Sequence, residues 1–247
     1  MSDLTIEPTL EVEPPDIDHL ITEDDTPVDN LFSAKQQRFL VESLYSSWQP
    51  LEAKAPRLFL ADANVGIFNT PHNPALVPDV FLSLDVQVAE DWYAKEHRSY
   101  FIWEFGKPPE VVVEIVSNTK GRELTKKPRE YARMRIEYYV VYDPQQLIQE
   151  SILTVYQLRL SEYIPRPDLI LEGVGLGLTL WEGVFEGKEA QWLRWVDRDG
   201  NLLLTGLERA EQERQRAEQE RQRAEAAEAK AARLLAQLRA AGLDPEA

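Results

Sequence analysis

The sequence predicts an α/β fold: a parallel or mixed β-sheet with a helix on one face, followed by a long C-terminal helix or weak coiled coil. Three observations lead there. Residues 108–144, PPEVVVEIVSNTKGRELTKKPREYARMRIEYYVVYDP, read as strand, loop, short helix and strand, a unit that favours a parallel or mixed sheet with a helix on one face. Strand-like runs separated by turn residues follow at 151–160, 176–181 and 192–196. Residues 207–241 repeat ERQRAE at a period of seven, with high helix propensity throughout.

The composition sets bounds on function. The chain has 247 residues, enough for one ordinary domain plus tails, and 43% are hydrophobic. Six Trp and nine Tyr add large apolar area to the core. With no cysteine, disulfides, thiolate metal sites and thiol catalysis are excluded. No apolar run approaches the roughly 20 residues of a membrane span, and the N-terminus lacks the basic and apolar regions of a secretory signal, so a cytoplasmic location is expected. Of the net charge of −16, the first thirty residues carry −10 and residues 208–247 carry −1, which leaves −5 for the body. An acidic body argues weakly against tight non-specific DNA binding. A metal-binding acidic cluster, however, adds negative charge by itself.

In chain order, residues 1–30 hold ten acids, four prolines and no Lys or Arg, and read as an acidic disordered tail. Residues 33–48 read as a helix capped by Ser33, with Phe39, Leu40, Leu44, Tyr45 and Trp48 as its apolar stripe. Glu42 lies off that stripe, as a surface acid or an acid at the edge of a site. Residues 57–70 read as two short strands around a tight turn, with Gly66 marking a bulge or a close backbone approach. Asp79 follows Pro78 where another strand begins. Residues 84–98 are a polar excursion, and Tyr100 to Trp103 read as a further strand. Val111-Val112-Val113-Glu114-Ile115-Val116 is a β-branched run bounded by prolines and by Ser117-Asn118, the mark of a buried central strand.

Glu114 is out of place there, because leaving a buried charge unpaired costs on the order of 3–5 kcal/mol. It needs a cation, a proton or a hydrogen-bond network, as a core acid paired with a nearby Arg or as a metal ligand at the end of a sheet. Pro128 suits a first helical position, which places Lys127 at the helix entrance. Residues 138–142 form the next strand. The runs from 151 to 196, punctuated by glycines, read as a β-rich covering layer joined by hairpins, with Asp199-Gly200 as a turn. Residues 207–241 offer mostly one small Ala per heptad before Arg233. They are therefore a solvated helix or a weak coiled coil pinned by Leu234, Leu235 and Leu238, a surface for homo-oligomer formation or a protein partner.

Asp79, Glu114 and a lysine beyond Glu114 form a kit for phosphodiester hydrolysis. Two carboxylates on adjacent strands can hold one Mg²⁺ (or Mn²⁺), the carbonyl of Ile115 can add a ligand, and a lysine can orient water and offset developing charge. The phrases Val77-Pro78-Asp79-Val80, Val113-Glu114-Ile115-Val116-Ser117, Lys127 four residues before Tyr131, and Glu137 to Pro144 resemble the Uma-type restriction endonucleases, a branch of the PD-(D/E)xK nuclease superfamily. The resemblance implies a restriction-endonuclease-like domain over 31–205, with a mixed β-sheet core flanked by helices, Mg²⁺-dependent cleavage of DNA, and a prokaryotic defence or mobile-element setting. It also implies catalytic roles for Asp79, Glu114 and Lys127, with Glu42 as the acid of the first helix. The usual lysine position, two after the acid, is Val116 here. Lys127 on the following helix is the match, and Lys126 and Lys120 are near enough to substitute. The alternative function is a catalytically inactive nuclease fold that acts as an interaction module through its C-terminal helix.

Overall fold

The computed structural model describes residues 30–52, 55–91, 93–117 and 124–240. The acidic tail, apart from Asn30, and Lys120 lie outside them. In chain order the elements are α1 (Leu31–Ser47), β1 (Leu51–Glu52), β2 (Ala55–Pro56), β3 (Phe59–Ala63), β4 (Ile67–Phe68), β5 (Val80–Leu84), β6 (Tyr100–Phe101), α2 (Ile102–Phe105), β7 (Val111–Ile115), α3 (Lys127–Arg133), β8 (Tyr138–Tyr142), β9 (Leu153–Arg159), β10 (Glu162–Pro165), β11 (Ile170–Leu171), β12 (Leu176–Phe185), β13 (Lys188–Val196) and α4 (Gly206–Ala240).

A six-stranded sheet in the order β10-β9-β8-β7-β5-β3 forms the centre. Its one parallel pair is β7–β8, joined by α3, and its other pairs are antiparallel. Its central strands β5, β7 and β8 are buried on both faces, which is why β7 and β8 are nearly continuous apolar runs. Alternation sends Val111, Val113 and Ile115 to one face, where they meet Leu40 and Leu44 of α1 and Leu176, Leu193 and Trp195 of the β11–β12–β13 sheet. Val112 and Val116 face the other side, packed with Phe81, Tyr100, Tyr131 and Tyr139.

Several local expectations are corrected. Asn30 caps α1, its side chain accepting the Ser33 N–H at 2.9 Å, so the helix starts earlier than a Ser33 cap implies. Tyr45 is exposed rather than part of the stripe, and its hydroxyl accepts the Ala61 N–H at 3.1 Å. β3 and β4 do not pair as a hairpin. β3 pairs with β5, while β4 pairs in parallel with β6. Asn64 in the left-handed region, at φ 56°, redirects the chain between them. Gly66 makes the expected close approach, since a Cβ there would lie 3.1 Å from that of Ala75. The strand at Tyr100 lasts two residues and turns into α2, which Gly106 ends at φ 72°.

Residues 153–165 extend the central sheet as the β9–β10 hairpin instead of covering it, and Gly183 lies inside β12. α3 ends at Arg133, and Arg135 at φ 65° turns the chain into β8. The turn at Asp199-Gly200 is present, closed by a bridge from Val196 to Leu202. α4 is anchored at its start by the buried Arg194, which pairs with Glu208 at 2.7 Å beneath the rings of Phe39 and Trp181. From Glu213 onward its described side chains are exposed. Among the described residues no helix is long and apolar enough to cross a membrane.

Candidate active site

The site begins where the β5–β7 ladder stops. The register pairs Val80 with Val113 and Phe81 with Val112. One more step places Asp79 opposite Glu114. Glu114 turns to the α3 side of the sheet, where Tyr131 meets it, and Asp79 lies beside it at the end of β5. The ladder also explains the backbone beside them. The Val116 N–H donates to the carbonyl of Tyr142 at 2.8 Å, towards β8. Strand alternation therefore turns the N–H and C=O of Ile115 towards β5, beyond its last paired residue. Asp79 occupies that edge, with Oδ2 accepting the Ile115 N–H at 2.6 Å.

Two helices complete the cluster. α3 supplies Lys127 and Tyr131, one turn apart on the same face. Lys127 Nζ donates to Glu114 Oε2 at 2.6 Å, and the Tyr131 hydroxyl donates to Oε1 at 2.8 Å. Lys127 is the first residue of α3 and Pro128 the second, so the lysine lies inside the first turn and not at the entrance before it. Burial of Tyr131 against the sheet holds α3 in that register despite the pre-proline preference for extended backbone. α1 supplies Gln37, whose Nε2 donates to Asp79 Oδ1 at 2.8 Å while its Oε1 accepts from Asn64 Nδ2 at 3.0 Å.

Glu114 is 1% exposed. Burial pushes its carboxyl up to about 8, against the pull of the Lys127 ammonium and with a further push from Asp79. Tyr131, buried against that carboxylate, is held well above the ordinary phenol range. Among the described residues no group of three or more His, Asp or Glu could hold an ion. Any metal here would rest on Asp79, Glu114 and the Ile115 carbonyl. That is a hard oxygen set of the kind Mg²⁺ takes when water and substrate phosphate fill its remaining places. The donor set fits.

The structure brings Asp79, Glu114, Ile115 and Lys127 together. It does not bring Glu42. That side chain is exposed and accepts the Gly206 N–H at 3.1 Å, at the start of α4. Glu42 and Gln37 are five residues apart, about 140° around the helix, so α1 cannot present both to the sheet end. Lys126 turns outward and pairs with Glu130 at 3.2 Å. Gln37 and Tyr131 are the members that the sequence-based assignment of roles omits. The only signal for Gln37 is a polar residue close to the apolar stripe of a helix, and Gln36 carries the same signal while serving the backbone of Leu193.

Comparison with protein families finds one match: the Uma2 family, described as "Putative restriction endonuclease", over residues 22–180 of the 247. Comparisons with curated proteins and with solved structures give no match.

Proposed function

The chain belongs to the Uma2 family, and on that premise we propose that it is a Mg²⁺-dependent endonuclease hydrolysing DNA phosphodiester bonds at the Asp79–Glu114 cluster. The observation that carries this reading is the pair of carboxylates at neighbouring strand ends, Asp79 on the Ile115 N–H and Glu114 one residue before it, with the Lys127 ammonium 2.6 Å from Glu114. Asp79, Glu114 and the carbonyl of Ile115 would hold Mg²⁺ or Mn²⁺. When bound, the ion supplies Lewis acidity towards phosphoryl oxygens and a water acidic enough to attack near neutral pH. Gln37 and the Ile115 N–H hold the Asp79 carboxylate in one orientation. Tyr131 does the same for Glu114. Lys127, on a flexible stem and partly exposed, can turn from Glu114 to the attacking water or to a phosphate oxygen and offset the charge that develops there.

A second reading has one observation in its favour. Each of the four oxygens of Asp79 and Glu114 already accepts a hydrogen bond, so the cluster is also a satisfied buried network of a nuclease fold that does not cut and acts through α4.

Thermal melting separates the two. An ion bound at 100 times its Kd stabilises the native state by about 2.7 kcal/mol, a rise of roughly 5–10 °C for a chain of this size. Mg²⁺ or Mn²⁺ added to chelated protein is expected to raise the midpoint by that order. An unchanged midpoint at millimolar metal would favour the inactive network.

Gln37 gives a second test. Gln37→Leu removes the donor to Asp79 while keeping bulk at a buried helix position. The Mg²⁺ concentration for half-maximal cleavage is expected to rise about 10–100-fold, as for other groups that orient a ligand. A metal requirement equal to that of wild type would remove Gln37 from the site.

A further inference from the structure

We infer that the groove between α3 and the β9–β10 hairpin holds a single strand of the DNA substrate, by its phosphates and by stacking of a base. The inference rests on the nuclease reading and names the form of substrate that the site accepts. The groove is a recess of about 720 Å³, walled by α3 on one side and by Tyr139, Tyr156 and Tyr163 on the other.

α3 has two working faces. At about 100° per residue, Lys127 and Tyr131 fall on one side, and Lys126, Arg129 and Arg133 fall within a narrow sector on the opposite side. The first face meets Glu114. The second lines the groove. Lys126 is engaged by Glu130. Arg129 and Arg133 are exposed, and neither has a carboxylate partner among the described residues. The groove also includes Glu162, on the hairpin wall. In a chain of net charge −16, two adjacent guanidinium groups in one recess, with no carboxylate partner among the described residues, mark a place for an anion.

The opposite wall narrows the choice of anion. Tyr139 packs against Tyr156 and Tyr163, with ring centroids 5.9 Å and 5.4 Å apart, and the latter two rings are half-buried, so part of each faces the groove. Arginines that hold phosphates beside rings that stack on bases are the parts of a single-strand track. A duplex does not suit the recess. Reading it needs an element that projects into a groove of the nucleic acid, and its bases are stacked away from any ring outside. Residues 124–126 line the recess, and the next residue, Lys127, reaches Glu114 on the other side of α3.

The test uses the full chain with chelator present, so that nothing is cut, and three fluorescent probes: an oligo-dT strand, a blunt duplex, and the same duplex with a single-stranded tail. Anisotropy is expected to show the strand and the tailed duplex bound about tenfold tighter than the blunt duplex, the worth of roughly one stacked base. In Arg129→Ala/Arg133→Ala that preference should vanish, and the slope of log K against log salt should flatten by about 1.4, for two phosphates on a single strand. Both side chains are exposed, and an unchanged thermal midpoint verifies the fold of the double variant. Equal binding of tailed and blunt duplex by the wild type, no binding of any probe, or a preference that survives in the double variant would each overturn the inference. Cleavage of plasmid DNA by the wild type in Mg²⁺ is scored separately, so the nuclease reading stands or falls on its own result.

Discussion

Glu114→Gln is expected to abolish DNA cleavage, with a loss on the order of 10³ or more, while leaving the protein folded. The reasoning starts from burial. Glu114 is enclosed by β7, β8 and α3, and its carboxyl is pushed up to about 8. Burial favours the neutral acid, against the pull of Lys127, and glutamine is close in shape to that form. The amide oxygen can accept from Lys127 or Tyr131, so the network loses little on folding. The amide is a far poorer ligand than a carboxylate for a hard divalent ion, so the proposed chemistry is lost although the shape is kept. Circular dichroism and melting, measured beside plasmid cleavage, separate fold from function. If Glu114 were only a core ion-pair member, the substitution would act mainly on stability. A fully active Glu114→Gln protein would sink the mechanism proposed here.

The second large effect concerns the lysines. Lys127 and Lys126 are neighbours in sequence and point to opposite sides of α3. The former lies 2.6 Å from Glu114, and the latter pairs with Glu130 and lines the groove. Lys127→Ala is expected to lower single-turnover cleavage by about 10²–10³, because a charge placed for the transition state is lost, with little change in DNA affinity. Lys126→Ala is expected to do the reverse, weakening DNA affinity slightly and reducing its salt dependence with little effect on the chemical step. Equal effects of the two substitutions, or cleavage that survives Lys127→Ala, would show that the helper is another group.

Legibility differed from element to element. β7 and β8 could be read because a strand buried on both faces must be apolar at every position, and Glu114 stood out against that background. α4 could be read because Ala, Glu, Arg and Gln repeat with nothing to break a helix. The partners of β3 and β4 could not be read. Two short strands near a turn look alike whether they pair with each other or with strands far along the chain, and here β5 and β6 took them. The extent of α3 was misjudged for a related reason. Local proline sterics favour a start after Lys127, but packing of Tyr131 and Ala132 into the core sets the helix one residue earlier.

By itself the sequence determined the class of fold, the central strand–helix–strand unit, the anomaly of a carboxylate in a core strand and the helical character of the C-terminal segment. These follow from hydrophobic period and helix propensity, which are local properties of the chain. Only the tertiary structure decided which groups meet at the sheet end. Asp79 and Glu114 are neighbours because β5 pairs with β7 in one register, and a slip of one residue would have set another residue beside Glu114. Gln37, and not Glu42, reaches Asp79 because of the angle at which α1 lies on the sheet. Lys127 and Arg129, two residues apart, work on opposite sides because α3 is wedged between the carboxylates and the β9–β10 hairpin. Register, rotation and docking are set by contacts between residues distant in the chain, and no local pattern encodes them.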